Sequence, residues 1–464
     1  MKLRELIEFS NGRLIGEADL EKEISKFSID SRIVDDSTFF IPLKGENSDG
    51  HDYINSAFEK GAIGTFTSKE IDAIPEKVII KVDDTLVAMQ NVAKKLREKI
   101  KNIPLIAITG SVGKTTTKDM VYAVLNSKYR TLKTRGNFNN NIGMPLTLIN
   151  YANEEAIVLE MGMNHFGEIS FLSGIAKPDT AIIINVGHSH IGNLGSRENI
   201  LKAKMEIVDG MTNDGTLVIN GDNDMLKTVK NTKQKLIKFG FKDANDVTAY
   251  NIRVSDNATE FMVKEDEKEY KVKLNLVGEN FIYNALAAWV IGKIYGITPE
   301  DRVKALANCE FTKMRMSIET KNDIILINDC YNASPESMKV ALEALSKQDA
   351  KRKIAILGDM LELGEYSDKL HEEVGENVAK NKIDKLYTVG KLAKNIKQGA
   401  INEVSTEKNI KSFNTLEELL NDLKKLIQKG DAVLVKASRA MSFEKIINEL
   451  EELKWNQKCI LAKT

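Results

Sequence analysis

The chain has 464 residues with 66 Lys and Arg against 67 Asp and Glu, a formal net charge of −1, so it lacks the basic excess that general nucleic-acid binding requires. Any anionic substrate must therefore be held by local clusters and not drawn in by a global positive field. No apolar run approaches the roughly 20 residues that span a bilayer, Met1 to Ser10 has no signal-peptide core, and Cys309, Cys330 and Cys459 lie too far apart for a disulfide framework or a zinc site. These features predict a cytoplasmic protein without membrane insertion.

At roughly 150 residues per domain, the length predicts about three domains. Residues 1–84 mix short strands with two helical stretches and contain no nucleotide loop. Phe27 to Arg32 reads as a strand running into the polar turn Asp30-Ser31-Arg32. Thr38 to Leu43 and Lys44-Gly45 follow, then Asp49-Gly50-His51 and a helix over 54–60 closed by Gly61. Taken singly, these polar stretches read as capped or tight turns.

Residues 85–312 are organised around the phosphate-loop stretch 103–117. After a helix over 85–100, Leu105 to Ile108 is a short β-branched run that predicts a buried strand. Thr109-Gly110-Ser111-Val112-Gly113-Lys114-Thr115-Thr116 comes next, and 118–125 reads as a helix. Strand, glycine loop, Gly-Lys-Thr and helix predict a phosphate cradle. Backbone N–H groups face the anion, Lys114 neutralises the outer phosphates, and the Thr115 hydroxyl holds Mg²⁺. The spacing departs from the usual P-loop, which has glycine six residues before the lysine, where this chain has Ile108. Further strands are expected at 130–134, 156–160 and 180–187. Glu160 ends the second of these, where open α/β sheets bind ligands, and beside a phosphate loop it suits Mg²⁺ coordination. His188 and His190 follow the third. Ser196 reads as the N-cap of a helix to about residue 209 containing Lys202 and Lys204. Strands at 216–220 and 235–239, an antiparallel patch over 247–276 and a long amphipathic helix from Gly278 complete the segment.

Residues 313–464 restart a strand–helix alternation, the pattern of an open, largely parallel sheet. With no GxGxxG, a dinucleotide site is unsupported. The motifs here are Met314-Arg315-Met316, 328–335 (with Asp329 and Asn332), 357–364 (Leu-Gly-Asp-Met-Leu-Glu-Leu-Gly) and Lys436-Ala437-Ser438-Arg439.

Thr-Gly-x-x-Gly-Lys-Thr-Thr at 109–116 resembles the ATP loop of the Mur ligases and the folylpolyglutamate synthetases. Asp-Ser-Arg and Asp-Gly-His in the N-terminal segment, and the Gly-Asn-x-Asn-Asn-x-Ile-Gly-x-Pro loop at 136–145, are also similar to Mur ligases. The 357–364 motif is similar to those Mur ligases that append D-alanyl-D-alanine. The resemblance implies three α/β domains: a small UDP-binding domain (1–84), a central ATP-binding domain with a mainly parallel sheet (85–312), and a Rossmann-like domain (313–464) that binds the incoming amine and closes over ATP. It implies an ADP-forming ligase that joins D-alanyl-D-alanine to UDP-N-acetylmuramoyl-tripeptide in peptidoglycan synthesis, as a monomer. It places Ser31, Arg32, Asn137, Asn140 and Asn332 on the substrates, Asn284, Arg315 and Asp329 on ATP, and Glu160 and His190 on the metals. Lys204 is expected as an N-carbamate, with Lys202 the competing assignment. No residue stands out as base for the attacking amine. The rival readings are a neighbouring Mur ligase adding the third residue, a folate glutamation enzyme, and a P-loop regulatory ATPase.

Overall fold

Three sheets carry the chain in the computed structural model, which describes residues 1–453 apart from 231, 256, 313 and 405–408. Cys459, with the rest of 454–464, lies outside the described residues. The first sheet has five strands in the order Arg13–Ile15, Val78–Lys81, Gly64–Thr67, Thr38–Phe40, Lys26–Ser28, parallel except for the first. Leu3 and Leu6 of the helix Leu3–Ser10 are fully buried.

The central sheet has nine strands. Thr131–Lys133, Ala156–Glu160, Leu105–Thr109, Thr180–Ile183, Thr216–Asn220, Lys235–Gly240 and Val247–Val254 run parallel in that order, and Thr259–Glu265 and Lys268–Leu274 extend the sheet antiparallel. Every residue of Leu105–Thr109, Ala156–Glu160 and Thr180–Ile183 is buried. Continuous apolar runs of this kind mark parallel strands covered on both faces. The expected strand at 180–187 stops at Ile183, because Asn185 turns away to bind the neighbouring loop. The helix Asn280–Ile294 is not amphipathic, as its pattern suggested, but buried nearly all round, from Phe281 to Gly292. It packs on the helix Lys114–Asn126 and stacks Trp289 under the Arg302 guanidinium at 4.3 Å. A helix covered on every side needs no polar stripe.

The C-terminal sheet has six strands in the order Ser317–Lys321, Ile324–Asn328, Asp431–Lys436, Arg352–Gly358, Lys385–Val389, Ile410–Phe413, with only the first antiparallel. The expected alternation is present, with an added helix–strand unit, Lys394–Val404 and Ile410–Phe413. The helix Pro335–Ser346 starts where local chemistry directs. The Ser334 hydroxyl accepts from Ser337 N, and Pro335 occupies the first turn, where its missing N–H costs nothing.

Candidate active site

Strand Leu105–Thr109 sits between Ala156–Glu160 on one side and Thr180–Ile183 on the other. From this strand the chain goes to the edge strand Thr131–Lys133, returns to Ala156–Glu160 and then crosses to Thr180–Ile183 on the other side, so the connections separate here. In open α/β sheets the crevice beyond such a switch point is the ligand site. Three neighbouring strand ends therefore deliver the phosphate loop, Glu160 and the His188–His190 loop to one place.

The strand runs straight through Ile108, which is fully buried, so the turn starts only at Gly110. This accounts for the missing glycine. Gly113 has φ +84°, a conformation disfavoured for side-chain-bearing residues, and a Cβ there would meet Asn284 Nδ2 at 2.7 Å. Asn284 Nδ2 donates to Thr117 Oγ1 at 2.7 Å and approaches Gly113 O at 3.4 Å, so it buttresses the loop from beneath. Asn185 clamps the far side: its Oδ1 accepts from Val112 N and its Nδ2 donates to Val112 O, both at 2.9 Å. Ser111 Oγ accepts from Gly187 N. The loop is thus held before any ligand arrives, and Lys114 Nζ donates back to Gly110 O at 2.8 Å.

Glu160 is buried with both oxygens engaged. Oε2 accepts from Thr115 Oγ1 at 2.9 Å and Oε1 from Asn139 Nδ2 at 2.8 Å. A buried carboxylate against a hydroxyl offers the oxygen ligands that Mg²⁺ requires. Among the described residues, however, no group of three or more His, Cys, Asp or Glu side chains stands close enough to hold a metal. A cation here would draw its remaining ligands from water and phosphate oxygens, the usual pattern for Mg²⁺ at nucleotides.

Two lysine amines lie close to this centre. Enclosure pushes the partly exposed Lys114 below the ordinary lysine range; the Glu160 charge opposes this, while Arg315 adds to it. Lys204 is 1% exposed, and burial drives it well below that range, reinforced by the Lys114 charge. Lys204 has no hydrogen-bond or ion-pair partner among the described residues, whereas Lys202 on the same helix is exposed.

The opposite wall comes from the C-terminal domain. A cavity of about 540 Å³ is lined by Ser111 to Thr116, Asn140, Glu160, His190 and Asn284 below, and by Arg315, Asp329, Asn332, Glu336 and Lys436 above. Arg315 stacks 3.8 Å from the Tyr331 ring centre, and its Nε is buried without a partner. Lys436 Nζ donates to Asp329 Oδ2 and, at 2.8 Å, to Asn332 O. His188 Nδ1 pairs with Glu336 Oε1 at 2.6 Å across the cleft.

Not every expected residue gathers here. Thr109 is fully buried under the loop, and Gly110 faces Lys114 with its carbonyl. Asn137 is exposed. Ser31 and Arg32 belong to the N-terminal domain outside this cavity, where exposed Arg32 is engaged by Asp30 at 2.7 Å. Sequence reasoning missed Asn139, Asn185, Glu336, Glu362 and Lys436. Asn139 lay within the asparagine loop, Glu362 within the 357–364 motif and Lys436 at the start of Lys436-Ala437-Ser438-Arg439, so all three carried a positional signal.

This architecture defines a nucleotide-dependent enzyme in which one domain carries the phosphate loop and another completes the chamber. The Mur ligase middle domain matches residues 108–292, the glutamate ligase domain of the Mur ligases matches 314–439, and the Mur ligase catalytic domain matches 23–103. The chain belongs to the Mur ligase family. It is 39% identical over 454 residues to the UDP-N-acetylmuramoyl-tripeptide--D-alanyl-D-alanine ligase of Bacillus subtilis, covering 97% of this chain and 98% of that one. A crystal structure of MurF from Acinetobacter baumannii superposes with a TM-score of 0.86 at 31% identity, covering 97% and 99%. MurF from Thermotoga maritima, solved in complex with ADP, gives 0.78 at 30% identity, covering 92% and 97%.

Proposed function

We propose that the chain joins D-alanyl-D-alanine to UDP-N-acetylmuramoyl-tripeptide, with ATP converted to ADP and phosphate, in peptidoglycan precursor synthesis. The observation that carries this reading is the single chamber in which the phosphate loop and Glu160 face Arg315, Asp329 and Asn332 of another domain. The relatives similar over nearly the whole chain bear the name of this ligase.

A carboxylate is a poor acylating agent. The γ-phosphoryl of ATP passes to the terminal carboxylate of the tripeptide, and the dipeptide amine attacks the acyl carbon. The C–N bond forms, the C–O bond to phosphate breaks, and the amine gives up a proton. The difficulty is to bring anions together, which calls for fixed positive charge and oriented N–H groups. Lys114 and the loop amides supply these on the phosphate side, and Arg315 supplies charge from above. Thr115 and Glu160 would hold one Mg²⁺, which neutralises phosphate charge when bound. His190 and Lys204 would serve a second. Lys204 fits that task as an N-carbamate: CO₂ adds only to a neutral amine, and a buried, unpartnered lysine with a depressed pKa supplies one.

We assign 1–84 to the UDP end of the substrate, with Ser31 and Arg32 as contacts, 85–312 to ATP, with Asn137 and Asn140 facing the sugar-peptide part, and 313–464 to the amine, with Asn332 nearby. The protein works as a cytoplasmic monomer in this reading; among the described residues no helix is long and apolar enough to cross a membrane.

The test is phosphate release by the purified protein with UDP-tripeptide and ATP. D-alanyl-D-alanine should stimulate it strongly, and lysine, diaminopimelate and glutamate should not. Slow turnover indifferent to UDP-tripeptide would instead indicate a regulatory ATPase.

A further inference from the structure

The motif Leu357 to Gly364 has no part in the chemistry so far, yet it lies on the loop that carries His190. Gly192 N donates to Glu362 O at 3.0 Å, and Tyr366 OH donates to Gly195 O at 3.0 Å. Glu362 Oε2 stands 2.6 Å from His190 Nδ1, close enough to pair although not aligned as a hydrogen bond. The approach is close because glycines face each other. A Cβ on Gly192 would fall 2.6 Å from Gly364 N and 2.8 Å from Glu362 O, and one on Gly364 would fall 2.8 Å from Gly192 Cα.

The motif is rigid within its own domain. Asp359 Oδ1 accepts from Ala393 N at 2.7 Å, Met360 N donates to His371 Nε2, and Leu361 N donates to Ser438 Oγ, both at 2.9 Å. Its tip is unusual: Glu362 has φ +65°, and His190 opposite has φ +66°. Two non-glycine residues in the left-handed region facing each other are held there by their surroundings.

The geometry points to a docking element. We propose that the 357–364 motif seats the C-terminal domain on the His190 loop, and that Glu362 is a positioning residue that engages His190 Nδ1 and leaves Nε2 free for the second metal ion. Histidine ligands commonly give their other ring nitrogen to a carboxylate, and losing that partner typically costs 10- to 100-fold in metal affinity or activity. Here the carboxylate arrives from another domain, so the second metal site would be complete only when the domains are docked. The inference rests on the metal role proposed above for His190.

The experiment measures Mn²⁺ binding by electron paramagnetic resonance, with a nonhydrolysable ATP analogue on the full chain, and compaction by small-angle scattering in the same mixture. Glu362→Ala should weaken the second Mn²⁺ about 10- to 100-fold and lower kcat with little change in KM for ATP. Gly192→Ala touches no ligand and alters no charge, but its methyl group meets backbone of the other domain, so it should reduce compaction and weaken the same ion. A cooperative thermal unfolding transition in each would confirm that both variants fold. Wild-type Mn²⁺ affinity in either variant overturns the proposal. His190→Ala tests the reading beneath it: if that variant still binds the second Mn²⁺ normally, the metal role of His190 fails whatever Glu362 does.

Discussion

Lys204 places an amine where the fold alone gives no reason for one: 1% exposed, unpartnered among the described residues and beside the charge of Lys114. Buried unpaired charge is destabilising, so a group in this position loses its proton or finds a counter-charge. Lys204→Met keeps most of the volume and removes the problem. In chelator, at pH 7, this variant should melt above the wild-type protein while ligase activity falls at least about 10-fold, the lower end of what lost metal support costs. Lys204→Ala should lose activity similarly and regain part of it with added short carboxylic acids, which replace the carbamate arm. A Lys204→Ala variant of near-normal activity that no acid improves would remove the carbamate. Lys204 was legible in the sequence only through its family motif, since its spacing alone is that of an ordinary helix lysine. Burial now separates it from exposed Lys202. Arg32 is the reverse case. Its motif was legible, but the structure engages it with Asp30.

At the scale of elements, the phosphate loop is the part the sequence told most completely, because strand, glycine turn and helix follow one another locally. Of the clamps around it, Asn284 was placed at the nucleotide only through the family resemblance, and Asn185 was not legible. Asn284 and Asn185 reach the loop from 171 and 73 residues away, respectively, and no local pattern encodes such distances. The helix Gly143–Ile149, buried along its whole length, and the unit Lys394–Val404 with Ile410–Phe413 were also missed. The first has no polar face to give a period. The second carries Gly399 mid-helix, packed against the Glu372 carbonyl, where local propensity argues against a helix. The clamps make a prediction. In Gly113→Ala the added methyl would occupy the position of Asn284 Nδ2 in a left-handed backbone. Strain of about 1–3 kcal/mol should raise KM for ATP roughly 5- to 150-fold while leaving KM for D-alanyl-D-alanine near its original value. Equal rises in both constants would mean that the loop acts on the whole chamber and not on the nucleotide alone.

For the whole molecule, one anchor at the junction of the central and C-terminal domains is Asp119, on the helix that starts at Lys114. Asp119 is 1% exposed, and its Oδ2 accepts from both Thr312 N at 2.9 Å and Thr312 Oγ1 at 2.8 Å. Its Oδ1 accepts from Lys133 Nζ at 2.9 Å and lies 3.5 Å from Lys118 Nζ, which is equally buried. One carboxylate thus ties the phosphate-loop helix to the stretch just before Arg315, so the start of the upper domain is fixed relative to the site it covers. Removing one partner of a buried ion pair costs about 3–5 kcal/mol, because the other charge is left uncompensated. Asp119→Asn should show this loss at pH 7 in calorimetry. Its pH dependence identifies the cause. Burial already pushes Lys118 below the ordinary lysine range, and Asp119 is the first of the charges that hold it up. Without Asp119 the folded-state pKa drops further, while the unfolded value stays near ~10.4. Between those two values the unfolded chain binds more protons than the folded one, so the stability of the variant rises with pH. The deficit should therefore shrink between pH 7 and pH 9 if a stranded lysine charge is responsible. A deficit constant across that range would mean that the lost acceptor for Thr312 accounts for the whole effect.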